Sequence, residues 1–309
     1  MLTSNSYKSN QFLWLVFKLF IVIVCGYYIF LTISSNQHLD FSDFWSFLTK
    51  FDVFSTKNIV FLFIFTIFNW FFEISKWQIL VKKIQLVPWS TAAKQSLASL
   101  TFSLITPNRI GEYPVKALYF EKGKRKRILM ANFAGNMYQL LVTVLIGLAG
   151  VFYLINYFSF STQQILLFIL GSIFLFFIIR FLLKKLNWFD KIYNAAKQQK
   201  SNTVLLLSIL RYIVFSHQFY FFLVLFNIDI TYWEAMACIS SMYVIASIIP
   251  MLSLFDFVVK GSVAVFVFSF FEIDPVIILS ISTLMWVYNF AIPAIIGSYF
   301  VLTFKPTQA

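Results

Sequence analysis

The chain has 309 residues, 60% of them hydrophobic and 12% charged, with a formal net charge of +12. Soluble domains average about 45–50% apolar and about 25% charged residues, so the composition excludes an ordinary soluble enzyme, a disordered chain and a disulfide scaffold. Apolar runs longer than the roughly 20 residues that cross a bilayer point to an all-α polytopic membrane protein, one integral membrane domain over 1–309.

Six segments are long enough to span: 12–33, 59–81, 128–154, 163–184, 203–226 and 276–302. The first has a basic start but no small-residue cleavage site, so it is expected to be a retained span and not a signal peptide. Glu73 and Lys76 close the second span as an expected interfacial pair, and Trp70, Trp77 and Trp89 fit an aromatic belt. Two further stretches, 94–121 and 235–271, are apolar but broken near their middles. The first break reads Thr106-Pro107-Asn108-Arg109-Ile110-Gly111-Glu112-Tyr113-Pro114, and the second runs from Pro250 to Asp256. Proline removes a helical N–H and clashes with the turn before it, so neither stretch continues as one helix. Irregular backbone at membrane depth is tolerated where protein buries it or where it lines a wet cavity. Both stretches therefore read as re-entrant helical hairpins, with two short tilted spans as the competing reading of the second. Cys25 and Cys238 lie in apolar segments as small packing residues, with no metal or redox spacing.

Loop charges give the orientation. With Lys8 inside, the loops carrying Lys82, Lys83 and Lys94, then Lys122, Lys124, Arg125, Lys126 and Arg127, then Lys184 to Lys200, and finally Lys305, all fall inside. Asp40, Asp43, Asp229, Glu234, Glu272 and Asp274 fall outside. This is the positive-inside pattern for an N-in/C-in chain, and it requires an even number of crossings in each broken stretch.

The two breaks resemble each other. Glu112-Tyr113-Pro114-Val115-Lys116-Ala117 lies over Asp256-Phe257-Val258-Val259-Lys260-Gly261. Three full spans separate them, so the two repeats, centred on 94–121 and 235–271, are inverted. Interrupted segments in matching halves are the sequence pointer to a transporter site near the midplane.

Ionisable residues inside a membrane are functional candidates by default. Glu112 and Lys116, like Asp256 and Lys260, are four apart and share a helical face. Arg109 carries a guanidinium fork suited to phosphate oxygens. Pro107, Arg109, Gly111, Glu112, Lys116, Asp256 and Lys260 thus form the candidate lipid head-group or ion site, against the plainer reading of two salt bridges that hold the hairpins in place. Asn132, Asn136, Gln139 and Thr143 form a polar stripe on the third span, a cavity lining or interhelical glue. Arg211, within the fifth span, snorkels, pairs with a break acid or lines the path. His217 is expected to be packed or hydrogen-bonded. No metal site, cofactor motif or enzyme signature is present, and the basic residues are spread over membrane loops, which argues against nucleic acid. Lys122, Lys124, Arg125, Lys126 and Arg127 suit anionic inner-leaflet lipids.

Residues Leu104 to Glu112 resemble the TP-x-x-x-GE signature of the lysylphosphatidylglycerol synthase transmembrane family, the membrane region of the multiple peptide resistance factor. Lys116, the basic run before the next span and the Pro250 to Gly261 segment are similar to further parts of its pattern. The likeness covers most of 10–303. It departs at Phe255 and Asp256, at Met137-Tyr138-Gln139 where an acid–Arg pair is common, and at Val287-Tyr288-Asn289 where an Arg is frequent. No aminoacyl-transfer domain follows, so lipid lysylation is not expected. The resemblance implies a multi-pass protein of the bacterial cytoplasmic membrane that translocates or binds a phospholipid or polyprenyl-phosphate-type amphiphile. The alternative is a non-transporting enzyme or accessory subunit of lipid or lipid-linked glycan synthesis, with a membrane or cytosolic biosynthetic enzyme as partner.

Overall fold

The computed structural model describes residues 55–104, 106, 109–155, 201–248 and 256–304, the side chains of 256–258 excepted. The predicted spans at 12–33 and 163–184, Pro107, the 249–255 stretch of the second break and the Asp256 side chain lie outside the described residues. Every regular element described is helical: α1 (Thr56–Lys82), α2 (Trp89–Ser103), α3 (Glu112–Leu118), α4 (Lys122–Leu154), α5 (Asn202–Leu225), α6 (Tyr232–Ile248), α7 (Asp256–Phe268, continued by a 3-10 turn Ser269–Phe271), α8 (Pro275–Trp286) and α9 (Ile292–Leu302), the last two joined by a π turn, Val287–Ala291.

Four stretches are long and apolar enough to cross a membrane: α1, α4, α5 and the continuous α8–α9 unit, Pro275–Leu302. Their starts follow local rules. Ser55 accepts from Asn58 N–H and Ser201 from Val204 N–H. Asp274 accepts from Val276 N–H, with Pro275 in the first turn, where its missing N–H costs nothing. The π turn has a cause in Pro293, which leaves the carbonyl four residues earlier without its helical partner. That carbonyl is Asn289 O, and Trp70 Nε1 donates to it at 3.1 Å.

α2 has 15 residues and α3 only 7, or about 22 and 10 Å at 1.5 Å per residue, well short of the roughly 30 Å hydrocarbon core. The two ends of this broken stretch lie side by side. Arg127, beyond it, donates to Lys83 O at 3.4 Å, and Lys124 reaches Gln85 Oε1 at 3.2 Å, both acceptors lying before it. The second broken stretch folds back likewise: Cys238 Sγ on α6 lies 3.9 Å from Val267 O on α7.

Two cores result. Trp77, Leu80, Leu100, Phe120 and Ile128 centre one on the first hairpin, and Phe219, Phe222, Met242, Phe268 and Ile281 centre the other on the second. Each hairpin is held by a close helix approach. On α4, a Cβ at Gly147 would stand 2.9 Å from Ser240 O, and one at Gly150 2.8 Å from Ala237 O, so α6 lies directly on the α4 backbone. On the other side Gly297 of α9 meets Leu97 O of α2, and Thr101 Oγ1 donates to Ala294 O at 2.8 Å. Small residues at such crossings are the packing device of membrane helices.

Polarity runs inside out. Ser99, Thr101, Ser208, Gln218, Ser241 and Ser280 are buried, while Phe61, Ile67, Leu145, Leu148, Phe152, Ile295 and Tyr299 are exposed. Lipid wets that surface, so no hydrophobic penalty attaches to it. Two expectations are corrected here. Trp70 and Trp77 are buried and bonded, to Asn289 O and Gln95 Oε1, because their indole N–H groups find acceptors inside the bundle; Trp89 alone of the three is exposed. Glu73 and Lys76 do pair, at 2.7 Å, but both are buried and not interfacial.

Candidate functional site

The first break is a stapled turn. Thr106 Oγ1 donates to Ser103 O at 2.9 Å and accepts from Gly111 N–H at 2.8 Å. Gly111 is required by space: a Cβ there would lie 2.8 Å from Thr106 Oγ1 and 3.0 Å from the Phe102 ring. Arg109 has φ 58°, a left-handed conformation uncommon for a residue with a Cβ. That backbone turns the Arg109 side chain back onto Glu112, its ion-pair partner. Glu112 also faces Lys116 at 3.7 Å. Lys116 Nζ donates to Asn132 Oδ1 at 2.8 Å and lies 4.5 Å from the Trp77 ring centre. Asn136 donates to Tyr113 Oη at 3.0 Å, tying the short α3 to α4.

A second polar network crosses the bundle at α1. Arg211 reaches Glu73 at 2.8 Å, donates through Nε to Asn69 Oδ1 at 2.9 Å, and approaches Gln139 Oε1 at 3.5 Å. Asn69 donates to Asn289 Oδ1 at 2.6 Å, Asn289 donates to Gln218 Oε1 at 2.8 Å, and Gln218 donates to Thr66 Oγ1 at 3.2 Å. The chain of amides fixes the π turn against α1 and α5, and it holds Arg211 in place.

Between these networks lies a cavity of about 260 Å³. Arg109 reaches it from the first break, Arg211 from α5 and Lys260 from α7. Asn69, Gln139, Thr143, Ser247, Ser282 and Asn289 add neutral polar groups, and Phe215, Tyr243, Trp286 and Phe290 form apolar walls. No described carboxylate lines it. The Phe290 ring stands between two of the cations, its centre 5.6 Å from Arg109 Cζ and 5.3 Å from Lys260 Nζ. Lys260 Nζ is also 5.9 Å from the Tyr243 ring centre. Three cationic side chains thus converge from separate elements onto one aromatic-walled space.

The structure thus brings Arg109, Lys260, Arg211 and Gln139 together at the cavity. Glu112, Lys116, Asn132 and Asn136 stand behind it, where they bind the first hairpin to α4. The polar stripe of α4 divides accordingly: its first two residues hold α3, and Gln139 and Thr143 face the cavity. Gly111 shapes the turn. His217 is hydrogen-bonded, its two ring nitrogens 2.8 Å from Ile213 O and 3.0 Å from Tyr232 Oη. Sequence reasoning missed Asn69, Glu73, Gln218 and Asn289 as parts of the site. A signal existed on α1: Thr66, Asn69, Glu73 and Lys76 recur at 3-4-3 spacing, helical like the 4-3-4 spacing of the α4 stripe, and mark one buried face. No curated protein and no solved structure matches the chain. The family model for the lysylphosphatidylglycerol synthase TM region matches residues 15–297, so the chain is a multi-pass integral membrane protein belonging to that family.

Proposed function

We propose that this protein translocates or binds a phosphate-bearing lipid, with the head group in the central cavity and the acyl chains outside it. The observation that carries this reading is the cavity lined by Arg109, Arg211 and Lys260 with no described carboxylate. At about 260 Å³ it is smaller than the roughly 300–1,000 Å³ pockets that enclose whole drug-sized ligands, which suits a head group and not an entire lipid. Arg109, Arg211 and Lys260 contact phosphate. Glu112, backed by Lys116, positions Arg109, and Glu73 with Asn69 positions Arg211. Asp256, one helical turn from Lys260, completes the second break. Asn132 and Asn136 fix the first hairpin, and Pro107 with Gly111 shapes its turn.

In this reading α2–α3 and α6–α7 are re-entrant hairpins of an inverted repeat, approaching the cavity from opposite faces of a cytoplasmic membrane, with both termini inside. The side-by-side ends of the first hairpin and the paired helices of the second support it. Lys122, Lys126 and Arg127, with Lys82 and Lys83, present an exposed basic face at one end, suited to anionic inner-leaflet lipids. Lys124 and Arg125 of that run are half-buried and bonded locally, to Gln85 and Glu121 and to Phe120 O.

The test is reconstitution in vesicles with fluorescent phospholipid analogues and a membrane-impermeant quencher. Wild type is expected to move the analogue between leaflets, and an Arg109→Ala/Glu112→Ala double variant to lose that movement. Equal rates would sink the site assignment. Deletion in cells that alters lipid composition while leaving sidedness unchanged would favour the accessory-subunit alternative.

A further inference from the structure

We infer that Ser282 is a ligand contact, its hydroxyl donating a hydrogen bond to an oxygen of the head group held in the cavity. This rests on the cavity being the lipid site, and it adds a neutral contact from α8 to the three cations.

A hydroxyl inside a helix commonly bonds back to a carbonyl of the preceding turn. On α8 itself Ser280 donates to Val276 O and Thr283 to Leu279 O, both at 2.8 Å. The neutral polar groups of the cavity are spent in the same way or on one another. Thr143 donates to Gln139 O at 3.0 Å, and Ser247 to Val244 O at 2.7 Å. The Asn69, Gln139 and Asn289 amides belong to the network that holds Arg211 and the π turn. Ser282 is the exception. It lines the cavity and is 5% exposed, and its hydroxyl has no hydrogen-bond partner among the described residues.

A buried hydroxyl left unmet in a low-dielectric interior destabilises a protein, so such a group in a native fold calls for a reason. The α7 residue beside Ser282 is Gly261, where an added Cβ would lie 3.7 Å from Ser282 Cβ. Gly261 follows Lys260, so Ser282 stands against the helix that brings one cation to the cavity. Trp286, four residues on, lines the same cavity, and residues four apart share a helical face. Ser282 therefore lies on the cavity face of α8. One torsion, χ1, sets the direction of its hydroxyl among three staggered positions, so the group turns to an acceptor without movement of the helix. Arg109, Arg211 and Lys260 are donors only and cannot take its proton. Phosphate and ester oxygens of a lipid can.

Purified protein in phosphatidylcholine nanodiscs is titrated with phosphatidic acid, phosphatidylglycerol and undecaprenyl phosphate, with the melting temperature as readout. Ser282→Ala is expected to hold or raise the melting temperature before lipid is added, because it removes an unmet hydroxyl. For the lipid that wild type binds tightest, it is expected to weaken the apparent affinity about threefold to tenfold, the loss of one net hydrogen bond. A hydroxyl that served structure alone would give the opposite pair, a lower melting temperature with affinity unchanged. Unchanged affinity overturns the assignment of Ser282. So does a melting temperature lowered before lipid is added, which would mean that the hydroxyl already has its partner in the fold.

Two further variants keep this failure apart from failure of the cavity reading. If Arg211→Gln or Lys260→Gln weakens binding and Ser282→Ala does not, the cavity reading stands and Ser282 falls. If none of the three changes binding, or no lipid stabilises wild type, the cavity reading itself falls. Glycerol 3-phosphate separates a lipid from a soluble phosphate ester. It is expected to compete only at concentrations at least about a hundredfold higher, since burying acyl chains adds affinity. Competition at equal concentration overturns the lipid assignment.

Discussion

Lys116 and Lys260 occupy the same place in the two breaks, four residues after an acid and three after an aromatic residue, yet the fold uses them differently. Lys116 is buried, bonded to Asn132 and pressed on the Trp77 ring. Lys260 is half-buried and lines the cavity between Tyr243 and Phe290. Packing explains the difference. Each lysine is the fifth residue of its helix, but α3 packs against α4 and α2, where Asn132 and Trp77 receive Lys116, whereas α7 packs against α6 and α8 and leaves Lys260 at the cavity. A repeat in sequence thus fixes where a backbone break falls, and the packing around it decides whether a charge holds structure or meets ligand.

The strongest way to break this contrast is to remove the acid that Lys116 and Arg109 share. Glu112→Gln leaves two cations in the hairpin without their carboxylate. Breaking a buried pair from one side costs about 3–5 kcal/mol, so a large fall in the detergent melting temperature is expected, with transport lost as Arg109 leaves its position. An unchanged melting temperature rejects Glu112 as the anchor of the first hairpin. Next in size is the lysine pair. Lys116→Met is expected to destabilise by about 2–3 kcal/mol, since Glu112 and Asn132 lose a buried donor. Lys260→Met is expected to change stability by less than about 1 kcal/mol, because its head is half-exposed, while abolishing lipid binding. Melting and binding measured on both variants invert the two orders if the assignments are wrong.

Much of this was legible in the sequence because it depends on backbone rules. The break after Ser103 followed from Pro107 and Gly111, and the apolar segments at 59–81, 128–154, 203–226 and 276–302 reappear as α1, α4, α5 and α8–α9. Side-chain partners were less legible. Arg211 was open to several partners, and it pairs with Glu73, 138 residues away, only because α1 and α5 pack along their lengths. Glu73, nine residues before the end of α1, read as interfacial because its local pair with Lys76 accounted for it; the spacing that marks this face as buried shows only when Thr66 and Asn69 are taken with it. The π turn at Val287–Ala291 was also invisible, because it needs Trp70 to satisfy the carbonyl that Pro293 frees.

A smaller effect sharpens the comparison from the backbone side. Gly111→Ala is expected to cost about 1–3 kcal/mol, the usual penalty of overpacking, because the added carbon meets Thr106 Oγ1 and the Phe102 ring. In the second repeat Gly261→Ala, on α7 where the first repeat already has Ala117, meets only the Leu279 side chain at 3.1 Å and Ser282 at 3.7 Å. That flexible leucine can yield, so a change below about 1 kcal/mol is expected there. Paired melting curves check both, and equal shifts would show that Gly111 is under no tighter steric constraint than a glycine inside α7.

The smallest expected effect lies outside the hairpins, on the basic face at the start of α4. Lys122, Lys126 and Arg127 are exposed, whereas Lys124 is already engaged by Glu121 and Gln85 and Arg125 by Phe120 O. A basic residue near an anionic leaflet contributes about 1 kcal/mol and loses it with salt. Neutralising Lys122, Lys126 and Arg127 to Gln should therefore weaken the preference for vesicles rich in anionic lipid, and raising the ionic strength should erase the difference from wild type. Neutralising Lys124 and Arg125 should do less to that preference, since their charge is already partly spent within the protein. If the two sets prove equivalent at low salt, local pairing has no hold on the basic face, and its five charges act as one diffuse field on the membrane surface.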